Sequence, residues 1–120
     1  MSRIAYFESL QNHREPARDW IEKQDSHTRE DIYLRIRILS VQGLGLLGTK
    51  TMAVIRGPDK GFYELRNRTL NWRLGLFHDR ILDSFVLLHG WRHDKQYQRE
   101  IEAARSFLRE YRAQQGRPYG

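Results

Sequence analysis

The chain has no cysteine. Disulfides and thiolate chemistry are therefore excluded, which fits a reducing compartment. Long apolar runs are also lacking. The longest candidate, Phe85 to Leu88, is strand-sized, whereas a membrane-spanning helix needs roughly 20 residues. Met1 to Leu10 carries Arg3 and Glu8 and forms no secretory core. No repeats and no linker occur. Glycine clusters once, at Gly43, Gly45 and Gly48, but without Walker spacing or a preceding strand, so a phosphate loop is not expected there. These absences lead to an expectation of a soluble cytoplasmic protein, one domain over residues 1–120.

What the chain does have is positive charge. Lys and Arg number 21 against 15 Asp and Glu, for a net +6. Residues 1–60 hold 10 basic against 8 acidic side chains, and residues 61–120 hold 11 against 7. The excess leans toward the second half without forming a tail. Such a balance favours an acidic partner: nucleic acid, an anionic surface or an acidic protein.

The pattern of apolar residues outlines the elements. Residues 4–9 alternate as a first strand. Pro16 suits the first turn of a helix, with Ala17, Trp20 and Ile21 on one side. Ser26 or Thr28 is placed to cap a second helix over Arg29 to Gln42. Ile32, Ile36 and Leu39 form its stripe, and Leu34, Ile38 and Val41 widen it. Leu44, Leu46 and Leu47 read as a loop that plugs the core, and residues 57–61 as a turn. Three strands follow. Tyr63 and Leu65 lie opposite Phe62, Glu64 and Arg66; Trp72, Leu74 and Leu76 lie opposite Arg73, Gly75 and Phe77. Phe85 to Trp91 is apolar on both faces, as a central strand would be. Ile101, Ala104, Leu108 and Tyr111 mark a last helix, and residues 116–120 read as a frayed end. The expected order is β-α-α-β-β-β-α: an α+β domain, a small antiparallel sheet with an N-terminal helical hairpin and a C-terminal helix, the helices on one face.

Tyr63-Glu64-Leu65-Arg66, Trp72-Arg73, Val86-Leu87-Leu88-His89-Gly90-Trp91 and Glu100-Ile101-Glu102-Ala103-Ala104 occur in that order. In residues and spacing they resemble the RelE/HigB toxins of type II toxin–antitoxin systems, and more narrowly the phage-derived HigB-like branch. The motifs cover residues 61–112. The resemblance implies a RelE-like fold with a concave RNA-holding face. It implies mRNA cleavage, usually on the ribosome, by attack of the 2′-hydroxyl on the adjacent phosphate, with no cofactor or metal required. It also implies a cognate protein antitoxin, often of the helix-turn-helix type. One departure stands out: the segment after the last strand, residues 92–99, is shorter and less basic than the family's lysine-rich loop and lacks its proline.

Cleavage of this type needs a base, an acid, and cations to hold the charge on phosphorus. Arg66 and Arg73 are the candidates for the phosphate clamp, because guanidinium presents a planar fork to phosphate oxygens. The structural alternative is strand-end arginines standing in solvent or paired with Glu64 or Asp83. His93 is the natural acid–base group near neutrality. Lys95 and Tyr97 complete the catalytic candidates, as base, as phosphate holder or as a stacking ring. Which of the three is base and which is acid is open. Arg68, Arg92 and Arg99 are expected to contact RNA. His89 and His93 do not suggest a metal: on one strand they would lie about 13 Å apart, and His89 reads better as a hydrogen-bonded sheet histidine. Two other readings stand beside the nuclease: a non-enzymatic gyrase inhibitor like the related ParE toxins, and an RNA-binding or inactive relative on the same fold.

Overall fold

The structure, a computed structural model, describes residues 1–116. The expected residues 117–120 of the frayed end lie outside the described residues. The chain forms β1 (Arg3–Tyr6), α1 (Pro16–Glu22), α2 (Ser26–Gln42), a short 3-10 turn (Gly43–Leu46), β2 (Met52–Val54), β3 (Phe62–Asn67), β4 (Trp72–Asp79), β5 (Ser84–Trp91) and α3 (Tyr97–Gln115). The strands make one sheet in the order β1-β5-β4-β3-β2.

The α+β class, the helical hairpin and the closing helix are as expected. The sheet is mixed, however. β2 to β5 form an antiparallel meander, but β1 runs parallel to β5, pairing Ile4 with Phe85. Parallel pairing requires a long crossover, and here that crossover is everything between β1 and β5. The three-residue strand β2 was not foreseen, being too short to show an alternation.

The helices also cover both faces rather than one. On one side α1 and α2 bury Ala17, Ile21, Ile32 and Leu39 against Leu65, Trp72, Leu74, Leu76, Phe85 and Leu87. On the other, α3 buries Ala104, Leu108 and Tyr111 against Phe62, Val86, Leu88 and Trp91. An apolar β5 is thus the middle layer of a three-layer molecule. α2 presents a narrower stripe than its composition suggested, since Leu34 and Val41 are exposed. Its cap is Asp25, whose carboxylate accepts from the Thr28 N–H at 2.9 Å, in place of Ser26 or Thr28. Of the three leucines near the 3-10 turn, Leu46 is buried and Leu47 packs on the core, but Leu44 is exposed.

A β-bulge shapes the end of β5. Gly75 pairs with His89 and Leu76 with Leu87, so Leu88 is the extra residue. A bulge puts two successive residues on one face and reverses the alternation beyond it. Leu88 packs under α3, and His89 also faces α3, where its Nε2 lies 2.8 Å from Glu100. Gly90 then faces α1: a methyl there would overlap the Trp20 ring. Trp91 returns to the α3 face, against Gly75 and Ala104.

Candidate nucleic-acid interface

The bulge decides which side chains share the end of the sheet. Arg66 is paired with Arg73 across β3 and β4, and Arg73 with Trp91 across β4 and β5. Register partners in antiparallel strands point to the same side. Arg66, Arg73 and Trp91 therefore form a row across three strands on the α3 face, with neighbouring strands about 4.8 Å apart.

Glu64, two residues before Arg66, sits on that face between the two arginines. Its Oε2 lies 3.3 Å from Arg73 Nε and 3.5 Å from Arg66 Nη1. Arg73 also donates through Nη1 to the Trp72 carbonyl at 3.1 Å, and Arg66 through Nε to the Lys50 carbonyl at 3.2 Å. Burial pushes the Arg73 pKa below its ordinary value; Glu64 opposes that shift, while Arg66 and Arg68 add to it. The group stays charged all the same, as guanidinium does in proteins. The pairing alternative thus holds for Glu64. It does not hold for Asp83, which stands at the other end of the sheet, 3.7 Å from His78.

The loop after β5 closes this end. Asn71, in a left-handed conformation at φ 55° in the β3–β4 turn, clamps it. Asn71 Oδ1 accepts from the His93 N–H at 3.2 Å, and its Nδ2 donates to the His93 carbonyl at 3.4 Å. Asparagine tolerates this backbone better than most residues, which suits a turn that must also offer an amide. The His93 ring stacks on Tyr97, centroids 4.3 Å apart. Tyr97 and Arg99 stand on the first turn of α3 rather than in the loop, so the loop proper is residues 92–96.

The remaining candidates divide. Lys95 and Arg68 are exposed and make no hydrogen bond or ion pair among the described residues. Arg99 donates to Gln96 Oε1 at 3.3 Å. Arg92 is already engaged: it donates to the Leu70 carbonyl at 3.0 Å and to Gln24 Oε1 at 2.9 Å, tying the loop to the β3–β4 turn and the end of α1. Its position is better suited to bracing the loop than to free RNA contact. A cleft of about 310 Å3 opens beside it, walled by Trp20, Trp91 and Gln96. Asp94 and Glu100 also line it, together with Arg92 itself, so its charge is mixed. His89 has one side-chain hydrogen-bond partner, Glu100, while its Nδ1 is buried with none. Among the described residues no group of three or more His, Asp or Glu is placed to hold a metal ion, and no helix is long and apolar enough to cross a membrane.

Asp31 escaped the sequence reading. From α2 it accepts from Asn67 Nδ2 at 2.8 Å and Trp72 Nε1 at 2.9 Å, and it pairs with Arg35 at 3.3 Å. Arg35 in turn donates to the carbonyl of Arg66. This network supports the strand that carries the candidate clamp. An acidic residue on a helix otherwise read as solvated offered no signal of it.

No family model matches the sequence, and no curated protein matches it. The three-dimensional comparison finds a likeness. The crystal structure of the isolated E. coli RelE toxin superposes with a TM-score of 0.59 at 12% identity, covering 85% of this chain and 97% of that one. The fold is RelE-like. The match takes in nearly the whole of that chain.

Proposed function

We propose that this chain is the toxin of a type II toxin–antitoxin pair and cleaves mRNA, on the ribosome, by metal-independent attack of a 2′-hydroxyl. The narrower placement in the HigB-like branch rests on the motifs of residues 61–112. The observation that carries the reading is the convergence, at one end of a RelE-like sheet, of the Arg66–Arg73 pair with the clamped His93–Tyr97 stack. In the reaction the 2′-oxygen forms a bond to phosphorus as the bond to the 5′-oxygen breaks. One group in the loop takes the 2′-hydroxyl proton and another supplies a proton to the departing 5′-oxygen. Arg66 and Arg73 bear the charge that builds on the phosphoryl oxygens. For this, phosphate must take the place of Glu64 against Arg73.

The Glu64 pairing is also what favours a second reading. An arginine pair partly neutralised by one internal carboxylate suits a non-enzymatic inhibitor acting on a protein such as gyrase. Incubation with translating ribosomes, followed by mapping of 5′ ends, separates the two. The nuclease yields new ends on mRNA, with products terminating in a 2′,3′-cyclic or 3′-phosphate, and on free RNA the activity survives EDTA. Growth arrest with intact mRNA supports the inhibitor. Ends bearing a 3′-hydroxyl and a 5′-phosphate overturn the 2′-hydroxyl mechanism.

A further inference from the structure

The outer side of α2 carries a feature that neither the fold nor the proposed chemistry uses. A helix lying on a sheet normally turns apolar side chains inward and charged ones outward. α2 does the first, burying Ile32, Ile36 and Leu39. Its outer side, however, presents Leu34, 50% exposed, and Val41, 63% exposed. Seven residues apart, the two fall within about 20° of each other around the helix. They therefore form one line. Exposed Tyr33 flanks it on one side and half-buried Ile38 on the other. Isolated apolar residues on a surface need no explanation, but a line of them along a helix offers a seam to another helix.

Charge beside the line names the occupant. Glu30 and Arg37 are both exposed. They too are seven residues apart and share one side of the helix. At the usual helical rise they stand about 10 Å apart along the axis, too far to pair with each other. Neither makes a side-chain hydrogen bond or ion pair among the described residues. A second α2 can be laid antiparallel to the first, about a two-fold axis between Tyr33 and Leu34. Each Glu30 then stands opposite Arg37 of the other copy. The surface is thus complementary to itself, as a two-fold interface requires. A parallel pair would set like charges together.

We infer that the outer side of α2 is a self-association surface, on which a second copy of this chain packs antiparallel. Leu34 meets its counterpart at the axis, Val41 lies over the first turn of the partner helix, and two Glu30–Arg37 ion pairs fix the register. The inference does not rest on the toxin reading. α2 and α3 cover opposite faces of the sheet, so the dimer leaves the row of Arg66, Arg73 and Trp91 open. One helix pair gives a contact at or below the roughly 1,200 Å2 at which stable interfaces begin. The dimer is therefore expected to be weak and to form with rising concentration.

The test is sedimentation of the full chain over a range of concentrations, with thermal unfolding confirming that each variant is folded. Wild type is expected to pass from monomer toward dimer. Leu34→Asp, at an exposed position, is expected to remain monomeric, and Val54→Asp, exposed on β2, to behave as wild type. Glu30→Arg and Arg37→Glu each set like charges together at both contacts, and each should weaken the dimer at least about tenfold. The double variant, Glu30→Arg with Arg37→Glu, restores both pairs and should dimerise as wild type does. An equimolar mixture of the two single variants should dimerise as well, because the two copies are again complementary. A wild type that stays monomeric throughout overturns the proposal. So does a dimer indifferent to Leu34→Asp or to either single charge reversal, and so does a mixture that fails to associate.

Discussion

Glu64 sets the charge of the candidate site. Its carboxylate holds two arginines that would otherwise face a phosphate unopposed. Two substitutions separate its roles. On the proposed nuclease reading, Arg73→Ala removes a charge assigned to the transition state, and cleavage is expected to fall by about 10²–10³. Glu64→Gln removes the competing anion, and RNA is expected to bind severalfold more tightly while cleavage persists. A filter-binding titration and a single-turnover cleavage assay check both. Complete loss of cleavage in Glu64→Gln would instead make Glu64 a proton acceptor. His93→Ala should cost about 10²–10⁴ in rate, the typical worth of a proton-transfer group. His93 contributes to the clamp with Asn71 only through its backbone, so its loss should leave the loop in place.

At the scale of elements, α1 is positioned by a glycine. Gly90 lies under Trp20 so closely that no side chain fits between them. Gly90→Ala should therefore push α1 off β5 or twist the strand, at a cost of about 1–3 kcal/mol, the usual range for overpacking. Chemical denaturation measures it, and a shift within error would show that Trp20 turns aside freely. α3 is seated differently. Asp59, in the β2–β3 turn, takes Arg105 at 2.6 Å and Arg112 at 2.8 Å, while those two arginines lie over Phe62 and Phe77. The helix is thus held by charge at its middle and end, and by the Leu108 and Ala104 contacts along its length.

For the molecule as a whole, acid should loosen both layers together. Burial by itself raises the carboxyl of Asp59, but the hydrogen bonds from Arg105 and Arg112 outweigh it and leave the pKa lowered. Asp31 behaves alike: burial opposes ionisation, and Asn67, Trp72 and Arg35 more than compensate. A carboxyl whose folded pKa is depressed contributes stability above its unfolded pKa and loses it as pH falls through the folded value. One of these groups braces the α2 layer and the other the α3 layer. Thermal unfolding of the wild type should therefore hold steady near neutrality and decline below about pH 4, the unfolded carboxyl range. Asp31→Asn should lower stability at pH 7 by about 1–3 kcal/mol, through donors left poorly matched, and the gap from wild type should close as the pH falls. A gap independent of pH would show that packing, not charge, is what Asp31 supplies.

How much of this was legible before folding follows from what each feature depends on. Local features were: the helical hairpin, the strand faces of residues 62–77 and the last helix all come from apolar spacing, which acts through contacts a few residues long. Tyr63 and Leu65 on one face and Phe62 on the other lie as their alternation requires. A RelE-like fold was also expected, from the short motifs of residues 61–112, and the three-dimensional likeness agrees with that fold. Non-local features were not legible. The direction of β1 depends on which edge of the sheet is open when the crossover returns. The second helical layer depends on α3 finding the far face of β5. The bulge at Leu88 reverses the pattern of β5 and alone brings Trp91 beside Arg73, yet nothing in Leu-Leu-His-Gly announces it. Glu64 and the arginines stood in view as neighbours, but whether the carboxylate turns toward them or into solvent is a matter of burial. That burial exists only once β3, β4, β5 and α3 have closed around them.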